Sequence, residues 1–159
     1  MSLLDKEPVK RAEKALKDFD KSLSVIVLDH TARTAKDAAS SLKCEVGAIV
    51  KSLLFKTDES FILSLVAGDK RCSLNKLKKL INKKDIAMAN PDEVKTQTGY
   101  TIGGVSPVGH LNSVKILIDN SLERFNDLYA AAGHPNCVFK IDFINLQKIT
   151  NGEIEELIE

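Results

Sequence analysis

Hydrophobic residues recur along this chain at two periods, and the switching between them predicts helices interleaved with strands. In EPVKRAEKALKDF, Val9, Ala12, Leu16 and Phe19 share one helical face, and Pro8 suits a first turn. LSVIVLD then reads as a buried strand. TAKDAASSL opens a second helix at Thr34, where Asp37 stands three residues on in a capping-box-like arrangement, before Cys44 and Gly47 break the pattern. IVKSLLFK and FILSLVAG, separated by the polar TDES, read as the two strands of a hairpin.

The second half continues the alternation. In DKRCSLNKLKKLINKKD, Ser73 caps a short helix with Leu74, Leu77 and Ile81 on one face and Lys76, Lys79 and Lys83 grouped on another. DIAMA is a short strand. NPDEVKTQTG carries a full set of helix signals: Asn90 as cap, Pro91 in the first turn, Glu93 three residues after the cap and Gly99 at the end. VKILID and CVFKID read as strands and FINLQKIT as a short terminal helix. SLERFNDLYAAAG fits either a helix or a helical turn leading into a strand, and propensity favours the helix. The sum is an α+β (mixed α/β) fold, a mixed sheet packed with helices, expected as one domain over residues 1–159 with an N-terminal helix within 1–22.

Composition narrows the function classes. Charged residues make up 28% and hydrophobic ones 43% of 159 residues, the balance of a globular chain rather than a disordered one. No apolar run approaches the length of a bilayer crossing and MSLLDKEPVK lacks an apolar signal-peptide centre, so no membrane partner and a cytoplasmic location are expected. Cys44, Cys72 and Cys137 are odd in number and widely spaced, which argues against a disulfide framework. Together with His30, His110 and His134 they offer no close pair at zinc-ligand spacing, so no metal is expected. A net charge of +1 announces no nucleic-acid partner, which leaves local patches. The one patch is the basic segment, with Lys70, Arg71, Lys76, Lys78, Lys79, Lys83 and Lys84, read either as a solvated helix face or as a phosphate-contacting surface.

Two features carry candidate chemistry. On a period-two strand, Lys51, Leu53 and Phe55 project to one face and Val50, Ser52 and Leu54 to the other, so an ammonium stands on a largely apolar face. Either its stem snorkels to water from an edge position, or the lysine is poised in a cleft to meet an anion, with the Ser52 hydroxyl nearby. The second feature is TGYTIGGVSPVGH, which concentrates four of the chain's eight glycines at positions 99, 103, 104 and 109 around Pro107. Gly103 and Gly104 can take positive φ and expose N–H groups to an anionic oxygen, or the loop is a structural turn. Both GxxxxGK[ST] and GxGxxG are absent.

Taken together, IVKSLLF, TGYTIGGVSPVGH and YAAAGHPNCVFKI resemble the YbaK family of prolyl-tRNA editing domains, over a stretch from about Leu28 to Ile149. The resemblance implies a mixed, partly barrel-like sheet surrounded by helices, and a trans-acting deacylase that hydrolyses the ester of mischarged tRNA for proline without metal or cofactor. It places the family's lysine on Lys51, its neighbouring hydroxyl on Ser52 and its G-x-x-x-P loop on Gly103 to Pro107. Lys51 and Gly103 are thereby the catalytic candidates, with His30, Thr31, Ser52, Gly104, Ser106, Pro107, His134 and Asn136 as substrate-binding candidates. Lys76, Lys79 and Lys83 are the tRNA-binding candidates, and prolyl-tRNA synthetase is a further partner to expect. Val138 stands where the cysteine-specific branch shows an aspartate, and His134 either orders a water or bound amino acid or caps the turn before Pro135. Two competing readings are a non-catalytic module that binds aminoacyl-tRNA or a synthetase, and a small-molecule hydrolase or nucleotide-binding protein.

Overall fold

A computed structural model of the chain describes residues 2–29 and 34–159. Helix α1 spans Glu7–Phe19, strand β1 Ile26–Val27, α2 Ala35–Leu42, β2 Val50–Lys56, β3 Phe61–Ala67, α3 Leu74–Ile81, β4 Ala87–Met88 and α4 Pro91–Thr98. There follow β5 Lys115–Asp119, β6 Leu128–His134, β7 Cys137–Ile141, α5 Phe143–Thr150 and β8 Glu153–Glu155. They form an α+β fold with two sheets. One is mixed and five-stranded in the order β4-β2-β3-β5-β8; the other is antiparallel and three-stranded, β1-β7-β6. Among the described residues the strands do not close into a barrel.

Local sequence explains the helix ends. Thr34, Ser73 and Asn90 each accept a backbone N–H three residues ahead, and Asn90 with Glu93 completes a reciprocal capping box. The larger core lies where β2, β3 and β5 face β6 and β7, closed by α1 and α5. Val9, Ala12 and Leu16 of α1 are all fully buried in it. Burying a Val or Leu side chain stabilises by about 1.5–3 kcal/mol each, so α1 is firmly seated. A smaller core under α3 joins Leu77 to Phe55, Val66 and Leu117 on the opposite face of the mixed sheet.

Three elements differ from the sequence reading. LSVIVLD is not a buried strand: it pairs with β7 at Ile26 and Val27 only, and Val27 is 44% exposed at the sheet edge. The helix favoured for SLERFNDLYAAAG is a 3₁₀ turn over Asn120–Arg124 followed by strand β6. Tertiary packing overrides alanine's helix propensity there, because Leu128, Ala130 and Ala132 turn inward at period two and α1 lies close against this strand. Helix α5 is not the last element, since β8 follows it and pairs parallel to β5.

Candidate active site

The site lies where the two sheets part. Ile49 and Tyr129 form an isolated parallel bridge, after which β2 and β6 pair only with other strands. Strand β4 pairs with β2 only at Phe55 and Lys56, and the edge is open upstream of Leu54. The Leu54 carbonyl accepts the Ala89 N–H, and strand alternation therefore turns the Ser52 N–H and C=O toward that same edge. Between the edge and β6 is a cavity of about 330 Å³, whose walls include Lys51, Ser52, Ala130, Ala38, Gly103 and Pro135. The alanines of β6 and α2 leave the room; larger side chains at those positions would fill it.

Lys51 is half-buried, and its Nζ donates to the Lys70 carbonyl at 2.5 Å, which leaves two further N–H donors on the ammonium. Burial pushes this ammonium below the ordinary lysine value, against an opposing pull from the Asp69 carboxylate. Asp69 is itself held by a two-pronged contact with Arg124, at 2.8 and 3.0 Å. Ser52 projects to the other face of β2, and its Oγ is buried with no hydrogen-bond partner among the described residues. Ser52 therefore meets the cavity through its backbone at the open edge rather than through this hydroxyl.

The glycines of the loop have different tasks. Gly103, with φ of 93°, lines the cavity, and a Cβ built on it would meet only Pro135, at 3.4 Å. Gly104 does not take positive φ, and its N–H is engaged by the Thr101 carbonyl. Its carbonyl accepts the Gly133 N–H, and a Cβ there would lie 2.8 Å from the His134 nitrogen, so Gly104 lets the loop dock on β6. Ser106 and Pro107 are buried away from the cavity wall. Ser106 Oγ accepts the Val108 N–H, and the Ser106 carbonyl meets His110 Nε2 at 2.6 Å. Burial holds His110 below its ordinary value.

His134 caps a turn: its Nδ1 accepts the Asn136 N–H at 3.0 Å, which puts the proton of the neutral ring on Nε2. Partial burial, then Lys6, pull this imidazole below its ordinary value. Asn136 gives its carbonyl to the Leu28 N–H, and Pro135 between them is what reaches the cavity. His30 and Thr31 lie outside the described residues.

The basic lysines are partly spoken for. Lys76 donates to Glu156 and to the Ile158 carbonyl, and Lys83 lies beyond α3, 3.9 and 3.7 Å from Asp58 and Glu59. Lys79 is exposed on the helix. Closer to the cavity are Lys70, whose carbonyl holds Lys51, and the exposed Arg71. The sequence reading placed both in the basic segment without singling them out. It also missed Ala38, Ala130 and Pro135, for which only the adjacency of Pro135 to His134 offered a signal. Among the described residues no three His, Cys, Asp or Glu side chains gather as metal ligands, and no helix is long and apolar enough to cross a membrane.

A mixed-sheet fold with a lysine and a glycine-loop residue on one cavity defines a recognisable class, and the chain belongs to the aminoacyl-tRNA editing domain family, whose model matches residues 29–149. A solved structure of a candidate trans-editing enzyme for prolyl tRNA synthetase superposes with a TM-score of 0.92 at 35% identity, covering 97% of this chain and 98% of that one. The proline–tRNA ligase of Kosmotoga olearia is 35% identical over 119 residues, 75% of this chain and 19% of that enzyme. The chain thus spans about a fifth of the length of such ligases. The uncharacterized protein YwhH of Bacillus subtilis is 30% identical over 124 residues, covering 77% of this chain and 78% of its own length.

Proposed function

We propose that this protein is a trans-acting deacylase that hydrolyses the ester between a small, wrongly attached amino acid and the 3′ end of tRNA for proline. The observation that carries the reading is that Lys51 and Gly103, distant in sequence, line one cavity. Its volume sits at the low end of the range for ligand pockets, about 300–1,000 Å³. That suits an amino acid with part of its nucleoside, the rest of the tRNA remaining outside.

In this mechanism the open backbone edge of β2 at Ser52 orients the esterified ribose and amino acid. The Gly103 N–H donates to the ester carbonyl oxygen as negative charge grows there. Lys51, fixed by the Lys70 carbonyl, uses its other N–H donors on a neighbouring phosphate or ribose oxygen, or on the developing charge itself. Water adds its oxygen to the carbonyl carbon, the bond to the ribose oxygen breaks, and that oxygen leaves with a proton. His134 acts through the turn that sets Pro135 against the cavity. The apolar wall of Ala38, Val50 and Ala130 suits alanine better than a larger or charged side chain. The test is a panel of Ala-, Cys- and Ser-charged tRNA for proline, with alanine released fastest expected; binding of all three without release of any would leave a binding module instead.

The electrostatics of Lys51 give a pH prediction. Asp69 raises its pKa, so Asp69→Asn should let the ammonium lose its proton at lower pH. The alkaline fall of kcat/KM, corrected for spontaneous ester hydrolysis, is expected at lower pH in that variant than in the wild type. Stability changes in its own way with pH: because the folded value of Lys51 lies below the unfolded one, the cost of burying this charge is full below the folded pKa. It is relieved as pH rises from there toward the ordinary lysine range.

Position along the basic segment gives another. Lys70→Glu with Arg71→Glu should weaken tRNA affinity and flatten its salt dependence, by about one unit of log–log slope for each phosphate no longer neutralised. Lys83→Glu, already beside two carboxylates, should change either quantity less. Affinities across a salt series, ranked in the reverse order, would move the tRNA to the far end of α3.

A further inference from the structure

We propose that Arg11 is a positioning residue for this reaction: from α1 it holds both ends of the glycine-rich loop and so sets where Gly103 stands at the cavity. The proposal rests on the deacylase reading of that cavity. Helix α1 precedes the segment matched by the family model, so the clamp comes from outside it.

The contacts are specific. Arg11 Nε donates to the Gly109 carbonyl at 2.7 Å, and Nη2 reaches the Thr98 carbonyl at 3.4 Å, so one guanidinium bridges the residues that flank the loop. Its Cζ lies 4.7 Å from the centre of the Tyr100 ring. Tyr100 is fully buried and donates its O–H to the Val108 carbonyl at 2.7 Å, adding a second tie across the same loop. Burial pushes that phenol up to about 12, which keeps it a donor at any physiological pH.

Two of the four loop glycines make room for this clamp. A Cβ on Gly99 would fall 2.3 Å from Arg11 Nη2, and one on Gly109 would fall 2.6 Å from the Tyr100 hydroxyl and 3.0 Å from the Arg11 carbonyl oxygen. Both residues also take positive φ, 81° and 74°. The helix that carries Arg11 is seated on the other wall of the cavity as well. A Cβ at Gly133 of β6 would meet the carbonyl of Pro8 at 2.7 Å, and Val9, Ala12 and Leu16 are buried in the core. One rigid element therefore fixes the loop relative to β6. A shift of the loop by about an ångström would move the Gly103 amide out of line with the ester oxygen, and misplacement on that scale costs up to about 100-fold in rate.

Lysine cannot reproduce the clamp, because a compact ammonium on a flexible stem lacks the planar fork and the flat face that stacks on Tyr100. The test compares wild type, Arg11→Lys and Arg11→Met in the full chain, reading kcat and KM for Ala-charged tRNA and amide hydrogen exchange over residues 101–107. Expected for Arg11→Met is exchange in the loop faster by about 10-fold while β3 stays protected. A kcat lower by about 10-fold or more, with KM within about twofold, should accompany it, and Arg11→Lys should fall between. Wild-type kcat in folded Arg11→Met overturns the positioning role, whatever the exchange shows. If the methionine variant does not fold, Arg11→Lys decides by the same readings. Absence of turnover in the wild type would instead defeat the deacylase reading, and the clamp would then stand or fall on loop exchange alone.

Discussion

Lys51→Ala is expected to lower single-turnover deacylation by about 10²–10³-fold, the loss that follows removal of one preorganised charge-stabilising donor. The fold should persist. The ammonium is half-buried, makes one hydrogen bond to the Lys70 carbonyl, and is disfavoured by its surroundings, so its removal relieves desolvation while exposing one acceptor beside water. Melting temperature and circular dichroism should therefore match the wild type within a few degrees, and a wild-type rate in such protein would take Lys51 out of the mechanism. Restoring charge with arginine should not restore the rate, because a planar fork cannot occupy the same short contact.

Gly103→Val should produce the second large effect, by a different route. The position holds φ of 93°, where an L side chain costs about 1–2 kcal/mol and a β-branched one more. The loop would be driven toward another backbone conformation by this φ rather than by a clash, since a Cβ that stayed in place would only touch Pro135, at 3.4 Å. A fall in kcat/KM of about 100-fold is expected, with a drop in melting temperature of a few degrees. Gly104→Ala provides the contrast. Its Cβ would strike the β6 backbone at 2.8 Å, so stability should fall more than catalysis per folded molecule. Equal kcat for folded Gly103→Val and wild type would free the Gly103 amide of any role.

What the sequence disclosed follows the range of the physics. The ends of α4 were legible because Asn90, Pro91, Glu93 and Gly99 act on their own helix within a few residues. The β2–β3 hairpin was legible from two apolar runs around TDES. Strand β6 was not, because alanines that favour a helix in isolation are required here by β7 on one side and α1 across the face. Lys51 and Gly103 stood out by their oddity and by family resemblance, but their sharing of a cavity depends on how two sheets meet. Lys83 was grouped with Lys76 and Lys79 on one helix face, and its neighbours Asp58 and Glu59 come from a hairpin loop that the local pattern does not place beside it. Arg11 gave no local signal at all, since its partner Gly109 lies 98 positions away.

The most direct test of the shared cavity uses alanyl-adenosine with a 3′-amide in place of the ester, titrated into isotope-labelled protein while amide resonances are followed. A shared cavity predicts that the Lys51, Ser52 and Gly103 amides shift together along one saturable curve. Saturable shifts gathered instead around Ser60, Lys83 and Lys115, with Ser52 and Gly103 unmoved, would contradict it.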